Sequence, residues 1–190
     1  HFFDYRADGA AQARWFVARV QADGGFAGRL PPVLDIECFP PWGAGDRSTT
    51  LRGIRAFLTE TYRLTGLTPM LYLGRWTWRA WLGDPTLFGD ARLWIACWTC
   101  GPEPGLPRGW SDWTMWQLGR WFIDGIPRPL GANVFHGTRA ELAMLLRHEP
   151  ALVDDVARDG TSLAIDLSGV DGVAWQVRLD DGAWSAWRPV

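Results

Sequence analysis

Lysine is missing from this sequence: all 19 basic side chains are arginines, a bias that a GC-rich genome explains. Cysteine is scarce, with only Cys38, Cys97 and Cys100. The Cys97-x-x-Cys100 spacing occurs in redox pairs and in halves of metal sites, but no second pair and no suitably spaced histidine accompanies it. We therefore favour buried thiols or one disulfide, and we expect no bound metal.

Long apolar runs are also missing. No stretch approaches the roughly 18 apolar residues of a membrane-spanning helix, and no signal peptide or basic targeting segment is visible. The formal net charge of −2 comes without a clustered basic face, and no glycine-rich phosphate loop occurs. We therefore expect no nucleic-acid partner, no membrane partner and no cofactor.

Tryptophan, in contrast, is abundant. The 190 residues include 14 Trp, and 47% of the chain is hydrophobic, which is enough for a packed core. Indole rings fill cores and also form flat platforms for sugar rings, so composition alone leaves both interpretations open. Four of the indoles occupy helical positions, where we expect packing against the core: Trp15, Trp76, Trp78 and Trp81.

Short apolar strands alternate with amphipathic helices along residues 1–148. The predicted strands are 1–3, 33–37, 70–74, 93–98, 114–119 and 133–138; the predicted helices are 10–20, 51–62, 75–83 and the segment opened by a Thr138–Glu141 capping box. This order predicts an α/β fold with a largely parallel sheet.

The last part of the chain differs in charge and pattern. Residues 1–148 carry a net charge of +3 and residues 149–190 a net charge of −5, which we interpret as a boundary between two domains. Strand-like alternation and an Asp181-Gly182 hairpin turn predict that 149–190 form a small all-β module, sandwich-like or part of one.

Two carboxylates end the predicted strand at 33–37. Alternation places Asp35 and Glu37 on one face, about 7 Å apart at Cα, and Leu34 and Ile36 on the other. Like charges at this spacing raise the pKa of one partner, as a general acid at neutral pH requires. A structural ion pair is the commoner explanation of a bare Asp-x-Glu, so the motif must be interpreted with its surroundings.

Those surroundings resemble glycoside hydrolase family 25, the lysozymes that cleave bacterial peptidoglycan. The similar segments follow in order: HFF at 1–3, the Ala/Gln-rich helix at 10–22, LDIE at 34–37, PMLYLGRWTWRAWLG at 69–83, LWIACW at 93–98, WTMWQLG at 113–119 and GIPRPLGANVF at 125–135. The resemblance implies that residues 1–148 form a catalytic TIM-like β/α barrel. We expect it to be irregular and to lack the first two strands.

The resemblance also implies an activity, the hydrolysis of the β-1,4 bond between N-acetylmuramic acid and N-acetylglucosamine. Glu37 would protonate the leaving glycosidic oxygen. Asp35 would stabilise charge at the anomeric side or orient the acetamido group of the substrate. The expected partner is the peptidoglycan glycan strand, and the expected protein is a monomer that is secreted and acts at the bacterial cell wall.

Aromatic and amide side chains on the predicted strands complete the expected site. Tyr72, Trp98 and Trp116 would stack on sugars, and Gln117 would donate to acetamido or hydroxyl groups. Ordinary packing inside the barrel explains each of the aromatic side chains equally well. His136 and His148 have no partner pattern in the sequence, and we expect structural roles for both.

Three positions depart from the family pattern. The family has an active-site Asp on a strand before the segment that corresponds to His1, it has an acid where this chain has Gly131, and many members have His-Tyr where this chain has Cys97-Trp98. Six predicted strands leave about two strand–helix units of a full barrel unaccounted for, so we expect an N-terminal truncation. Two alternatives stay open: a catalytically degenerate protein that binds cell walls or carbohydrate, and a barrel glycosidase acting on chitin-like polymers.

Overall fold

One mixed sheet with helices packed on one of its faces forms the centre of the structure. A computed structural model describes residues 1–37, 47–122 and 124–147, together with the backbone of two short strands further along the chain. The described helices are α1 (Gly9–Ala22), α2 (Arg47–Thr65), α3 (Arg75–Leu82) and α4 (Arg139–Arg147). The described strands are β1 (Val33–Ile36), β2 (Met70–Gly74), β3 (Arg92–Ala96), β4 (Met115–Trp121), β5 (Leu130–Phe135), β6 (Ala174–Trp175) and β7 (Arg188–Pro189).

Strands β1 to β5 lie side by side in chain order. The pairs β1–β2, β2–β3 and β3–β4 are parallel, and β5 runs antiparallel to β4. Helix α2 lies in the connection from β1 to β2, and α3 in the connection from β2 to β3. Only residues 122–129 separate β4 from β5, which is too short for a parallel crossover, so the chain turns back as a hairpin.

The connection from β3 to β4 contains no helix and is fixed by side-chain hydrogen bonds instead. The Trp110 indole N–H donates to the carbonyl of Ala91 at 2.8 Å, and the backbone N–H of Arg108 donates to Asp84 Oδ1 at 2.8 Å. Trp110 also packs edge-on against Trp78 of α3, with ring centroids 5.3 Å apart. The loop thus covers the sheet where a crossover helix would otherwise lie.

The core lies between the sheet and α1, α2 and α3. Leu34 and Ile36 of β1 are fully buried, which confirms the predicted alternation along this strand. Their neighbours in the core come from every one of these elements: Ala13, Ile54, Phe57, Leu71, Leu73, Trp78, Leu82, Leu93 and Ile95. Because alternate strand residues point to opposite faces, the residues between these apolar positions must lie on the other face of the sheet.

The first residues of the chain extend the sheet beyond β1. Phe2 forms a parallel bridge with Asp35, the Phe3 N–H donates to the Asp35 carbonyl at 2.9 Å, and the Asp35 N–H donates to the His1 carbonyl at 2.8 Å. The predicted strand end at 1–3 is therefore present as a bridge. Phe3 is buried in the core beneath α2, and its ring end lies 3.0 Å from where a Cβ on Gly53 would be.

The predicted helices are confirmed, with small shifts at their ends. The Thr138–Glu141 capping box forms as predicted, because each residue's side chain accepts from the other's backbone N–H, at 2.6 and 3.2 Å. Strand β5 begins at Leu130 rather than at residue 133, since its pairing with β4 continues to Trp121. The expectation for Trp15 and Trp76 was wrong: they are 61% and 69% exposed, whereas Trp78 is fully buried.

Most of the predicted all-β module lies outside the described residues, including the Asp181-Gly182 turn. The pair β6–β7 is antiparallel, with Ala174 opposite Pro189 and Trp175 opposite Arg188. Within the part of the chain that the structure describes, no helix has the length and apolar character needed to cross a membrane.

Candidate active site

The sheet face opposite the helices carries a row of polar and aromatic side chains, which we call the site face. Register places Asp35 beside Tyr72 and Tyr72 beside Trp94 across three parallel strands. Two residues further along β4, Gln117 lies beside Asn133 of β5. Parallel strands bring their carboxyl ends to the same edge of a sheet, so the carboxylates that end β1 meet this row.

Asp35 is a half-buried carboxyl group in this row. Its Oδ1 atom is buried and has no hydrogen-bond partner among the described residues. Burial away from water, together with the nearby negative charge of Glu37, raises the pKa of Asp35 to about 7. The carboxyl group of Asp35 is therefore protonated in a large fraction of molecules at neutral pH.

Glu37 follows directly on β1 and is held by two tyrosines. The Tyr5 hydroxyl donates to the backbone carbonyl of Glu37 at 2.5 Å, and the Tyr72 hydroxyl lies 3.5 Å from its Oε1. Burial, and then the negative charges of Glu37 and Asp35, raise the pKa of Tyr72. The phenol therefore stays neutral and can act as a hydrogen-bond donor beside the carboxylate.

Gln117 joins both sides of the site face through its carbonyl oxygen. The Tyr72 hydroxyl and the Trp98 indole N–H both donate to Gln117 Oε1, each at 2.9 Å. These two donors fix the orientation of the amide and leave its NH₂ group directed at Gly131, where a Cβ would lie 3.1 Å from Nε2. This arrangement leaves the Gln117 N–H groups as donors, and their use by a ligand stays a prediction.

Trp98 is presented on a short loop closed by a disulfide between Cys97 and Cys100. Of the alternatives left open for these cysteines, the structure has the disulfide. The indole ring is 54% exposed while its N–H stays on Gln117. An aromatic face that is open to solvent and fixed at its polar edge is well suited to stack on a sugar ring.

Trp116 is not part of this face, although the sequence interpretation grouped it with the others. It is only 8% exposed, it is paired with Ile95 and Val134, and its N–H donates to the Cys97 carbonyl at 2.9 Å. Trp116 and Gln117 are adjacent in one strand, so alternation directs them to opposite faces. Stacking of Trp116 on a sugar does not fit this placement.

Two residues of the site face were missed by the sequence interpretation. Trp94 packs edge-on against Tyr72, with ring centroids 5.5 Å apart, and donates its N–H to Asn133 Oδ1 at 2.9 Å. The alternation in LWIACW contains the signal for Trp94, since Leu93 and Ile95 are typical core residues. Asn133 shares the face with Gly131, the position where the family pattern has an acid.

The side chains of the described histidines lie away from the site face. His136 stacks on Trp113 with centroids 4.5 Å apart and contacts Asp112 Oδ1 at 2.8 Å. His1 contacts Gln12 Oε1 at 2.9 Å and stacks on Phe57. His148 lies outside the described residues. In residues 1–37, 47–122 and 124–147, no three His, Cys, Asp or Glu side chains gather as metal ligands would.

Fold and site together define an α/β protein that presents a strand-end carboxylate pair among aromatic and amide side chains. The chain belongs to glycosyl hydrolases family 25, whose family model matches residues 1–120. The resemblance seen in the sequence is thereby confirmed.

Individual relatives agree with this assignment. The chain is 32% identical over 117 residues to an N,O-diacetylmuramidase of Chalaropsis sp., an alignment covering 57% of this chain and 54% of that protein. It is similar to the structure of a muramidase from Acremonium alcalophilum, with 30% identity, a TM-score of 0.63 and coverage of 77% and 71% of the two chains. A bacterial lysozyme from Streptomyces coelicolor is similar at 26% identity and a TM-score of 0.67, with coverage of 77% and 70%.

The chain spans about half the length of the curated relative, 54% of it. The family model and the similar structures establish the family and the α/β fold with its five-stranded mixed sheet.

Proposed function

We propose that this protein is a peptidoglycan hydrolase of the lysozyme type, a β-1,4-N-acetylmuramidase. The observation that carries the proposal is the pair Asp35 and Glu37 on the site face, with Tyr72 linking Glu37 to Gln117. Glycoside hydrolysis uses a pair of carboxyl groups at the scissile bond, helped by hydrogen bonds to the sugar that Tyr72 and Gln117 are placed to supply. The N,O-diacetylmuramidase similarity supports the choice of substrate.

Glu37 is the general acid in this proposal. It gives its proton to the glycosidic oxygen as the bond from that oxygen to the anomeric carbon breaks, and the leaving sugar departs as an alcohol. Asp35, two residues earlier on the same face, stabilises the positive charge on the anomeric side, directly or by orienting the acetamido group. Water then adds to the anomeric carbon and returns a proton to Glu37, which completes the cycle.

The raised pKa of Asp35 fits the orienting role. A carboxyl group with a pKa of about 7 keeps its proton in many molecules at neutral pH, and a protonated Asp35 can donate a hydrogen bond to the acetamido carbonyl of the substrate. The neutral Tyr72 hydroxyl, 3.5 Å from Glu37 Oε1, can stabilise Glu37 after it has lost its proton.

The wider architecture follows from the family. We propose that β1 to β5 are part of a TIM-like β/α barrel, that residues 1–148 belong to the catalytic domain and that residues 149–190 form a separate β module. The protein would act outside the cell as a monomer on the glycan strands of the bacterial wall. The carboxyl ends of β1 to β4 would then lie at the mouth of the barrel, where active sites of this fold are found.

One observation favours the second candidate, a wall-binding protein without turnover. Gly131 lies on the site face beside Gln117, and it supplies no carboxyl group where the family pattern has an acid. If that acid were indispensable, the face would still bind sugar through Trp98 and Gln117 but would not cleave it.

The test compares the full-length protein with its Glu37→Gln variant on purified peptidoglycan. Released reducing ends are reduced with borohydride, and their identity distinguishes cleavage after N-acetylmuramic acid from cleavage after N-acetylglucosamine. We expect muramitol from the parent and at least about 100-fold less from Glu37→Gln. Glu103→Gln, which alters an exposed loop glutamate, is the matched control and should keep the parent activity.

Other outcomes separate the candidates. Equal product from the parent and Glu37→Gln would exclude Glu37 as the acid. Wall binding without product would favour the binding protein, and cleavage of chitin oligomers but not of wall glycan would favour a chitin-type glycosidase.

A further inference from the structure

Arg120 lies on the site face, although it is not a member of the family motifs described above. The ladder between β4 and β5 shifts register between Gln117 and Gly119, and beyond this irregularity Arg120 is paired with Gly131. Cross-strand partners share one face of a sheet, and Gly131 lies on the same face as Asn133. The shift therefore turns the Arg120 side chain toward the row that contains Gln117.

The Arg120 guanidinium lies over the exposed ring of Trp98, with Cζ 5.7 Å from the ring centroid. Arginine stacks readily on indole in this way, which holds the charged group above an aromatic plane without neutralising it. Trp98 is itself fixed by the bond to Gln117 Oε1 and by the Cys97–Cys100 disulfide. The cation is thus positioned by the same network that reaches Glu37.

No carboxylate balances this charge within the part of the chain that the structure describes. The ion pairs formed there involve Arg6, Arg14, Arg63 and His136, and Arg120 is exposed. Its cross-strand partner Gly131 has no side chain, and the Gln117 amide nitrogen would lie 3.1 Å from a Cβ at that position, so a ligand bound by Arg120 would also lie near the Gln117 donors. An exposed guanidinium beside an open aromatic face is complementary to a carboxylate attached to a sugar.

The position of Arg120 fits a binding role and not a role in proton transfer. Strands β1 and β4 are three strand spacings apart, which is about 14 Å across the sheet. Arg120 therefore meets a different part of an extended glycan from the part that reacts at Glu37.

We propose that Arg120 and Trp98 form a subsite for a carboxylate-bearing sugar residue, with the guanidinium binding the carboxylate and the indole stacking on the ring. This inference rests on the proposed function, since it assigns part of the substrate to that site. Wall glycan supplies carboxylates from two sources. One is the stem peptide, and the other is the lactyl group of muramic acid where the peptide has been removed, because attachment of the peptide converts the lactyl carboxyl to an amide. Chitin oligomers present similar acetamido sugars without either carboxylate.

The test measures binding separately from turnover, in the Glu37→Gln background of the full-length protein. Arg120→Gln and the control Arg19→Gln, which alters an exposed arginine on α1, are titrated with three ligands. The ligands are soluble wall glycan with stem peptides, the same glycan after amidase removal of the peptides, and chitin oligomers of equal length. Thermal unfolding of each variant shows whether the fold is retained.

We expect Arg120→Gln to weaken binding of at least one wall glycan about 10-fold and to leave chitin binding unchanged. Loss only with the amidase-treated glycan identifies the lactyl carboxylate, and loss only with the peptide-bearing glycan identifies the stem peptide. Loss with both shows that Arg120 binds a carboxylate from either source. An equal loss for chitin, or no loss for either wall glycan, would overturn the subsite. If the parent releases no product while this selectivity persists, the proposed hydrolysis fails and the subsite stands.

In an active parent, Arg120→Gln should raise KM on wall glycan with little change in kcat. Arg120→Lys should restore part of the affinity, because lysine keeps the charge but not the planar pair of donors. A fall in kcat with unchanged KM would place Arg120 in the chemical step and would contradict the proposal.

Discussion

The two carboxylates of the site differ in their surroundings although they are two residues apart. Asp35 lies within β1, where neighbouring strands exclude water and leave Oδ1 without a partner among the described residues. Glu37 lies just beyond the strand and contacts tyrosines from two other segments. Glycosidases separate the roles of paired carboxyl groups through such differences in environment.

The pKa of Asp35 predicts a pH-dependent penalty on stability. An acid whose pKa is higher in the folded than in the unfolded protein favours folding at low pH, and this contribution is lost as pH rises from about 4 through 7. Asp35→Asn cannot ionise, so it should gain stability relative to the parent over that interval. The full shift would correspond to about 4 kcal/mol, but solvent reaches part of the group and we expect about 1–2 kcal/mol.

Thermal unfolding of parent and Asp35→Asn at pH 5 and pH 8 checks this prediction. The melting temperature of the variant should exceed that of the parent by more at pH 8 than at pH 5. Asp90→Asn, which alters an exposed acid before β3, should show no such change. Equal differences at both pH values would mean that ionisation of Asp35 does not destabilise the folded protein.

Sequence reasoning reached most residues of the site because strand alternation is a strong constraint. Asp35 and Glu37 were placed on one face by the period of two alone, and the neighbouring residues Leu34 and Ile36 are fully buried. The same rule excludes Trp116 from the site face once Gln117 is assigned to that face, because adjacent strand residues cannot share a face. Arg120 was beyond reach, since the register shift before it reverses the alternation and leaves no signal in the sequence.

At the scale of elements, the length of each connection decided the direction of the next strand. The stretches with α2 and α3 are long enough to return the chain to the starting edge, so the following strands are parallel. The segment at 122–129 is too short to return the chain to that edge, so β5 is antiparallel to β4. The pattern predicts no helix between β3 and β4, but it does not predict the hydrogen bonds that fix this loop, such as Trp110 to Ala91, because they depend on distant partners.

The disulfide-closed loop at the end of β3 should matter more for ligand binding than for folding. A loop of sequence separation 3 restricts the unfolded chain little, so its disulfide contributes little stability through chain entropy. It does hold Trp98 where its N–H meets Gln117. We expect the double variant Cys97→Ser/Cys100→Ser to raise KM several-fold while the melting temperature changes by only a few degrees.

Steady-state kinetics on soluble wall glycan and thermal unfolding, both with the purified double variant, test this expectation. Trp98→Ala in the parent is the reference for complete loss of the platform and should raise KM at least as much. A double variant with unchanged KM would show that Gln117 alone positions the indole. A fall in melting temperature of about 10 °C or more would assign the disulfide to the fold instead.

At the scale of the whole molecule, the residues that form the site all lie before position 136, between Tyr5 and Asn133. The charge boundary near residue 148 separates this net positive part from a net negative segment. A positively charged part that carries the site is suited to an anionic wall polymer, whereas the acidic segment gains nothing from electrostatic attraction to it. We therefore expect any contribution of residues 149–190 to wall retention to come from their aromatic side chains, including Trp184 and Trp187.

Deleting residues 149–190 from the full-length protein tests this division of roles. We expect hydrolysis of soluble glycan within about 2-fold of the parent, because the site described above is formed by residues before position 136, and a several-fold loss of retention on insoluble walls. Trp184→Ala/Trp187→Ala should reproduce the loss of retention, since it removes stacking surface and leaves the charge of the segment unchanged. Unchanged retention after deletion would refute the adhesive role. A parallel loss of soluble activity would instead make the segment part of the catalytic unit, and the boundary at 148 would no longer separate two functions.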